Sequence, residues 1–255
     1  MVRAIVYLLA IIAAEVFTVV SQPVLGIACH FVILLAVVID SALIGKYYHG
    51  RLILSLSLVP LVRIISLSMP LADIPQLWWY PIIYIPLLTA AIVLARILEY
   101  KPRDIGFSFG NNLGLIPVQL LIGLMGIGLG IVEYLILASE PLVVDPTWQN
   151  AWLPALVLLL STGFVEEFIF RGVMQRAAVE AFGGWGIVYI SLLFAALHIG
   201  WIEAANPLSW VDIIFVFVIA LFFGWVVKKT RSLLGVTLCH GLTNIMLFIV
   251  APVFF

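Results

Sequence analysis

The stretch STGFVEEFIFRGVMQR, residues 161–176, places two adjacent carboxylates and an arginine inside an otherwise apolar run. Only 10% of the 255 residues are charged, so Glu166, Glu167 and Arg171 form an unusual concentration of charge. A charge near the middle of a bilayer costs on the order of 3 kcal/mol on insertion scales. These side chains therefore need polar partners, which other parts of the chain must supply.

The chain as a whole is strongly apolar. Hydrophobic residues make up 65% of it, and the mean hydropathy is +1.26. A soluble core of this length would need far more polar surface, and the alternation typical of a membrane barrel strand is absent. The sequence predicts an all-α polytopic integral membrane protein with about eight or nine transmembrane helices, in the segments 4–22, 26–45, 52–71, 78–98, 112–138, 151–182, 185–200, 208–227 and 232–254.

The charges of the joints predict an orientation. Alternate joints are basic and carry Lys46 with Arg51, Lys101 with Arg103, Arg176, and the group Lys228, Lys229 and Arg231. The intervening joints carry only acidic residues, Asp73, Glu140, Asp145 and Glu203. The positive-inside rule then predicts a cytoplasmic N-terminus and, with nine crossings, an external C-terminus. The compact chain favours a prokaryotic plasma membrane.

A polar joint, EYKPRDIGFSFGNN, divides the chain. We expect residues 1–111 to form N-terminal transmembrane helices of unassigned role. Residues 112–255 form a C-terminal helical part that holds most of the unusual polar residues, at about 150–250.

Helical spacing groups these polar residues into three pairs. Positions four apart share a helix face, so Glu167 can pair with Arg171 while Glu166 points about 100° away. The segment FAALH aligns Phe194 with His198, and HGLTN aligns His240 with Asn244. Carboxylate, imidazole and amide groups that converge between helices have the parts of a hydrolytic site, because they can activate water and stabilise an oxyanion.

The ordered set E-E-x-x-x-R, F-x-x-x-H and H-x-x-x-N resembles the intramembrane glutamate proteases of the CAAX-processing and bacteriocin-processing family, which includes the type II CAAX prenyl endopeptidases. The resemblance covers about residues 150–250. It implies an endopeptidase in which Glu166 activates water with the help of His198, while His240 and Asn244 hold the oxyanion. Glu167 would assist, Arg171 would orient the carboxylates, and Phe194 would shape the substrate pocket.

The same resemblance implies no metal and no cofactor, although two histidines and two glutamates could in principle bind zinc. The expected partners are a peptide or protein substrate, with or without a prenyl group, and the lipid bilayer, with a membrane-protein partner as a further candidate. The net charge of −1 gives no indication of nucleic acid. A catalytically silent relative that binds or scaffolds a membrane partner, and a transporter with a proton-coupling carboxylate, remain alternatives.

Other features have structural interpretations. Glu15, Asp40, Arg63 and Glu133 are scattered over four predicted helices, and Arg63 could neutralise a carboxylate across a helix interface. Gly126 and Gly130 share one face, which favours close helix packing. The cluster Trp78, Trp79 and Tyr80 is typical of an outer-interface belt. Counting residues along straight helices places His198 nearer the outer surface than Glu166 and His240, so the proposed site requires a tilted or displaced helix.

Overall fold

The computed structural model describes residues 1–20, 23–45, 47–107, 113–201, 206 and 208–255. Lys46 and Glu203, which contribute to the predicted orientation, lie outside these residues. The described part of the chain contains the apolar helices α1 (Val2–Val19), α2 (Pro23–Ile44), α3 (Tyr48–Ser68), α4 (Gln76–Ile97), α5 (Ile116–Leu137), α6 (Trp148–Phe182), α7 (Trp185–Gly200), α8 (Ser209–Thr230) and α9 (Leu234–Phe254).

Eight of these helices are long and apolar enough to cross a membrane, and α7 is shorter. Large hydrophobic side chains such as Val24, Leu43 and Leu121 are exposed on the outside of the bundle. Charged side chains, including Glu15 and Glu167, are fully buried inside it. This arrangement suits a lipid surrounding and would be unfavourable in water. The predicted all-α polytopic membrane class is confirmed.

Helix α3 is interrupted at Leu56 and Ser57, where the chain forms a turn. Pro60 explains the interruption, because it has no N–H to donate to the carbonyl of Leu56 and its ring crowds that carbonyl. The apolar pattern predicts one continuous segment here and does not reveal the break.

Helix α6 departs most from the predicted geometry. It contains π-helical turns at Leu159–Glu166 and Phe168–Met174. At 1.5 Å per residue, its 35 residues span about 50 Å, well beyond the roughly 30 Å of a hydrocarbon core. Helix α6 must therefore tilt or project, and depth cannot be counted along it as along a straight helix. The nominal depths of Glu166 and His198 therefore do not decide whether the two residues meet, and both line one cavity.

Helices α5 and α9 run parallel and approach each other closely. Gln119 at the start of α5 accepts a hydrogen bond of 2.7 Å from the backbone N–H of Gly235 at the start of α9. A Cβ atom on Gly126 would lie 2.2 Å from the carbonyl oxygen of Cys239, and one on Gly130 would lie 2.4 Å from that of Thr243. The predicted role of these glycines in close helix packing is confirmed.

Contacts bring the basic joints to one end of the bundle. Arg51 donates a hydrogen bond to the carbonyl oxygen of Leu98 and lies 3.3 Å from a carboxylate oxygen of Glu180. The backbone N–H of Leu233 donates to the carbonyl oxygen of Gly106, at 3.1 Å. The joints after α2, α4, α6 and α8 therefore meet, as the alternation of basic and acidic joints requires.

Replacement of Gly126 by alanine should destabilise the protein. The new methyl group would collide with the backbone of α9, which no rotamer change can relieve, so we expect a loss of about 1–3 kcal/mol in the free energy of unfolding. The measurement is the thermal midpoint of the purified protein in detergent, followed by tryptophan fluorescence.

Gly128→Ala is the matched control. It lies on the exposed face of the same helix, and a Cβ atom there would meet nothing within 4 Å. Alanine stabilises a helix interior relative to glycine by about 1 kcal/mol, so this variant should melt at or above the wild-type temperature. Equal midpoints for both variants would contradict the assignment of Gly126 to the interface.

Candidate active site

A cavity of about 200 Å³ lies between the helices. Its wall includes predicted site residues from three helices, namely Glu166, Arg171, Phe194, His198, His240 and Asn244. Glu167 lies behind this wall and bonds to two of its members. The structure therefore brings together the residues that the three sequence motifs single out.

The Glu167 carboxylate joins α6 to α9. Its Oε1 atom accepts a hydrogen bond from Arg171 Nη1 at 2.8 Å and another from His240 Nδ1 at 2.8 Å. A carboxylate can only accept, so His240 Nδ1 carries a hydrogen and the ring orientation is set. Glu167 and Arg171 are both buried, which makes this a desolvated and charge-assisted arrangement. The predicted pairing of Glu167 with Arg171 is present.

The Arg171 guanidinium is also covered by aromatic rings. Its central carbon lies 4.4 Å from the centre of the Phe194 ring and 5.6 Å from that of Phe223. Cation–π contacts of this kind are strengthened by desolvation. Phe194 thus packs directly on the charged pair and also forms part of the cavity wall.

Glu166 is the more accessible of the two adjacent glutamates. Its side chain is 17% exposed, whereas that of Glu167 is fully buried. The Tyr84 hydroxyl of α4 donates a hydrogen bond to Glu166 Oε1. Glu166 Oε2 lies 3.8 Å from His240 Nε2, which is longer than a direct hydrogen bond. The carboxylate and the imidazole can therefore bind a third group between them.

His198 packs against the ring of Phe194. The centre of the Phe194 ring is 4.9 Å from that of His198 and 6.0 Å from that of His240. His198 Nδ1 donates to the carbonyl oxygen of Phe194 at 3.0 Å, because a carbonyl can only accept. The neutral ring then keeps a lone pair on Nε2, which can accept a hydrogen from another group.

Helices α3 and α4 also contribute to the cavity, which the sequence did not indicate. Tyr80 and Tyr84 of α4 line it with stacked rings, so Tyr80 is a cavity residue in addition to any place in an interface belt. Arg63 lines it as well, lies 2.7 Å from Glu15 and donates to the carbonyl oxygen of Leu197. The predicted neutralisation by Arg63 across a helix interface is present. No spacing pattern links these residues, so sequence reasoning could not connect them with the site.

The arrangement of possible donor side chains bears on whether the site could bind a metal ion. Within the described ranges, no group of three or more histidine, cysteine, aspartate or glutamate side chains is arranged to hold a metal ion. One carboxylate oxygen of Glu167, Oε1, already accepts hydrogen bonds from Arg171 and His240.

A comparison with known protein families matches the region that holds the motif residues. Residues 148–246 match the family described as type II CAAX prenyl endopeptidase Rce1-like. This part of the chain is similar to the Rce1-like family. The resemblance inferred from the three motifs is thereby confirmed at the family level, and the family is one of CAAX-type membrane proteases. No curated protein and no solved structure matches the chain.

The matched region includes every predicted site residue but excludes α1–α5. Tyr84 and Arg63 therefore lie outside the family match, although both line the same cavity. The matched region thus supplies the motif residues, while part of the wall around them comes from the preceding helices.

The two adjacent glutamates should differ sharply in their effect on stability. Glu167→Gln removes the anion from a buried pair and leaves Arg171 without a countercharge, which typically costs about 3–5 kcal/mol. Glu166→Gln keeps an acceptor for Tyr84 in a partly exposed position, so its thermal midpoint should stay close to that of the wild type. Thermal unfolding of the two purified variants in detergent provides the comparison, and equal losses would show that the division of roles is wrong.

Proposed function

We propose that the protein is an intramembrane endopeptidase that hydrolyses a peptide bond of a membrane-associated or prenylated substrate with a water molecule activated by Glu166. The observation that carries this proposal is the convergence of Glu166, His198, His240 and Asn244 on one cavity from three separate helices. Similarity of the matched region to a protease family supports the reaction class.

The first step is attack by water on the scissile carbonyl carbon. Glu166 accepts one hydrogen of the water as a proton while the oxygen forms the new bond to carbon. His198 Nε2, whose lone pair is left free by the bond from Nδ1 to Phe194, accepts the other hydrogen and orients the water. Tyr84 holds one oxygen of the Glu166 carboxylate, which limits its rotation.

The second requirement is a site for the negative charge that develops on the carbonyl oxygen. His240 Nε2 and the side-chain amide of Asn244 are the proposed donors. Since His240 Nδ1 already donates to Glu167, donation from Nε2 requires the imidazolium form. The Glu166 carboxylate before the attack, and the oxyanion after it, offset the charge of that imidazolium. When the C–N bond breaks, Glu166 returns its proton to the leaving nitrogen.

Glu167, Arg171 and Phe194 act through these groups. The hydrogen bond to Glu167 orients His240, and Arg171 neutralises Glu167. Phe194 contacts the rings of both histidines and forms part of the proposed substrate pocket. No step requires a metal ion or a cofactor.

The test is hydrolysis of a panel of fluorogenic peptides, one of them prenylated near its C-terminus, by the purified full-length protein in detergent. Glu166→Gln and His198→Ala should each lower kcat by about 10²–10⁴, the usual contribution of a positioned acid or base. Both variants should elute and melt like the wild type. Glu140→Gln, a substitution of an exposed glutamate in a joint, is the matched control and should retain full turnover.

Three other results would count against the mechanism. Full activity of Glu166→Gln would remove Glu166 from catalysis. Loss of wild-type activity on treatment with a chelator, and its recovery with zinc, would move the chemistry to a metal. A wild type that binds the peptides but turns over none of them would favour the scaffold function.

We further propose that the basic end of the bundle faces the cytoplasm of a prokaryotic cell, with the N-terminus inside and the C-terminus outside. The gathering of the basic joints at one end supports this orientation under the positive-inside rule. In intact cells, a membrane-impermeant thiol reagent should label Asp145→Cys and spare Lys101→Cys, with the wild type as background for the native cysteines. The reverse pattern would invert the topology.

A further inference from the structure

The cavity contains two carboxylates that the proposed mechanism does not use. Glu133 of α5 and Asp212 of α8 both line it. Asn206, which precedes α8, donates a hydrogen bond of 3.1 Å to the carbonyl oxygen of Ile136 near the end of α5. This contact joins the C-terminal end of α5 to the N-terminal end of α8, so that both carboxylates lie in the same part of the cavity.

Other intramembrane charges have partners of opposite sign. Arg63 pairs with Glu15, and Arg171 pairs with Glu167. Among the scattered carboxylates, Asp40 pairs with Arg3, at 2.7 Å. The two arginines that line the cavity are therefore each paired with another carboxylate, although Arg171 Nη2 has no hydrogen-bond partner within the described residues.

Glu133 and Asp212 differ from these charges, because neither forms an ion pair with an arginine or lysine of the described residues. Asp212 is only 1% exposed, and its Oδ1 atom has no hydrogen-bond partner within the part of the chain that the structure describes. Glu133 is 8% exposed and lines the same cavity as Asp212, Glu166 and His240. Asp212 faces the cavity with an unsatisfied buried oxygen, which points to a ligand that is not part of the chain.

The helix dipoles do not account for both carboxylates. Asp212 lies in the first turn of α8, where the positive end of the dipole stabilises an anion. Glu133 lies four residues before Leu137, the last residue of α5, and therefore near the negative end of its helix. A carboxylate at that end is destabilised by its own helix, so its position favours an external cation.

We propose that Glu133 and Asp212 form a subsite for a cationic side chain of the substrate, a lysine ammonium or an arginine guanidinium close to the scissile bond. This inference rests on the proposed endopeptidase function and adds a charge preference to it. A cation there contacts two desolvated carboxylates and supplies the charge that the cavity lacks. Glu133 lines the same cavity as Glu166 and His240, which is the reason to expect the basic residue within a few positions of the cleaved bond.

The experiment compares two labelled peptides that differ at one position, lysine against norleucine, which has a similar length and no charge. Fluorescence anisotropy measures their binding to the full-length protein in detergent, and mass spectrometry of the same samples records hydrolysis. The lysine peptide should bind at least about tenfold more tightly to the wild type, a difference expected of a desolvated charge pair.

The advantage of lysine should disappear in Asp212→Asn and in Glu133→Gln, each of which keeps the size of the side chain. The affinity for the norleucine peptide should stay unchanged in both variants, which also shows that they are folded. Glu140→Gln removes an exposed carboxylate that follows the end of α5 and should preserve the preference for lysine.

Equal binding of the two peptides to the wild type would overturn the subsite, and is expected if the two carboxyl groups share a proton and bond to each other. A preference that survives both substitutions would place the cation elsewhere and would also overturn it. Since binding does not depend on turnover, hydrolysis without a lysine preference would refute only the subsite. A lysine preference without hydrolysis would refute only the endopeptidase.

Discussion

The Glu167 carboxylate is the group on which the candidate site depends. One of its oxygens accepts hydrogen bonds from Arg171 on the same helix and from His240 on α9. The buried arginine would be too costly without this anion, and the imidazole would lack a defined orientation. Phe194 packs on the guanidinium of Arg171, and the ring of His198 packs against Phe194. A single carboxylate thus aligns groups from α6, α7 and α9.

The sequence predicts the parts of this site that follow helical periodicity. Glu167 and Arg171 are four residues apart, as are Phe194 and His198, and as are His240 and Asn244. Each of these pairs lies on one helix, so their shared faces follow from the geometry of a single turn. The spans themselves are predictable for a similar reason, since apolar length is a local property of the chain. The division at residue 111 stays a prediction.

The parts that could not be predicted depend on how helices meet. Tyr84 bonds to Glu166 across 82 positions in the chain, and Arg63 reaches Leu197 across 134. No local pattern distinguishes this tyrosine or this arginine from others in membrane helices. The π-helical turns of α6 change the angular spacing of its side chains, and the sequence gives no sign of them. Counting residues from the helix ends places His198 nearer the outer surface than Glu166. This count assumes straight and upright helices, and α6 is not a regular α-helix.

The close contact of α5 with α9 links helices outside the family match to helices within it. The family match starts at residue 148, so α5 lies outside it. The glycines of α5 nevertheless pack against the backbone of α9, at residues that lie inside the match. A fragment cut at the start of the match would leave α9 without the surface against which it is packed. It would also lose Tyr84, the side chain that holds the accessible glutamate. The region that matches the family is therefore smaller than the part of the chain whose residues line the cavity.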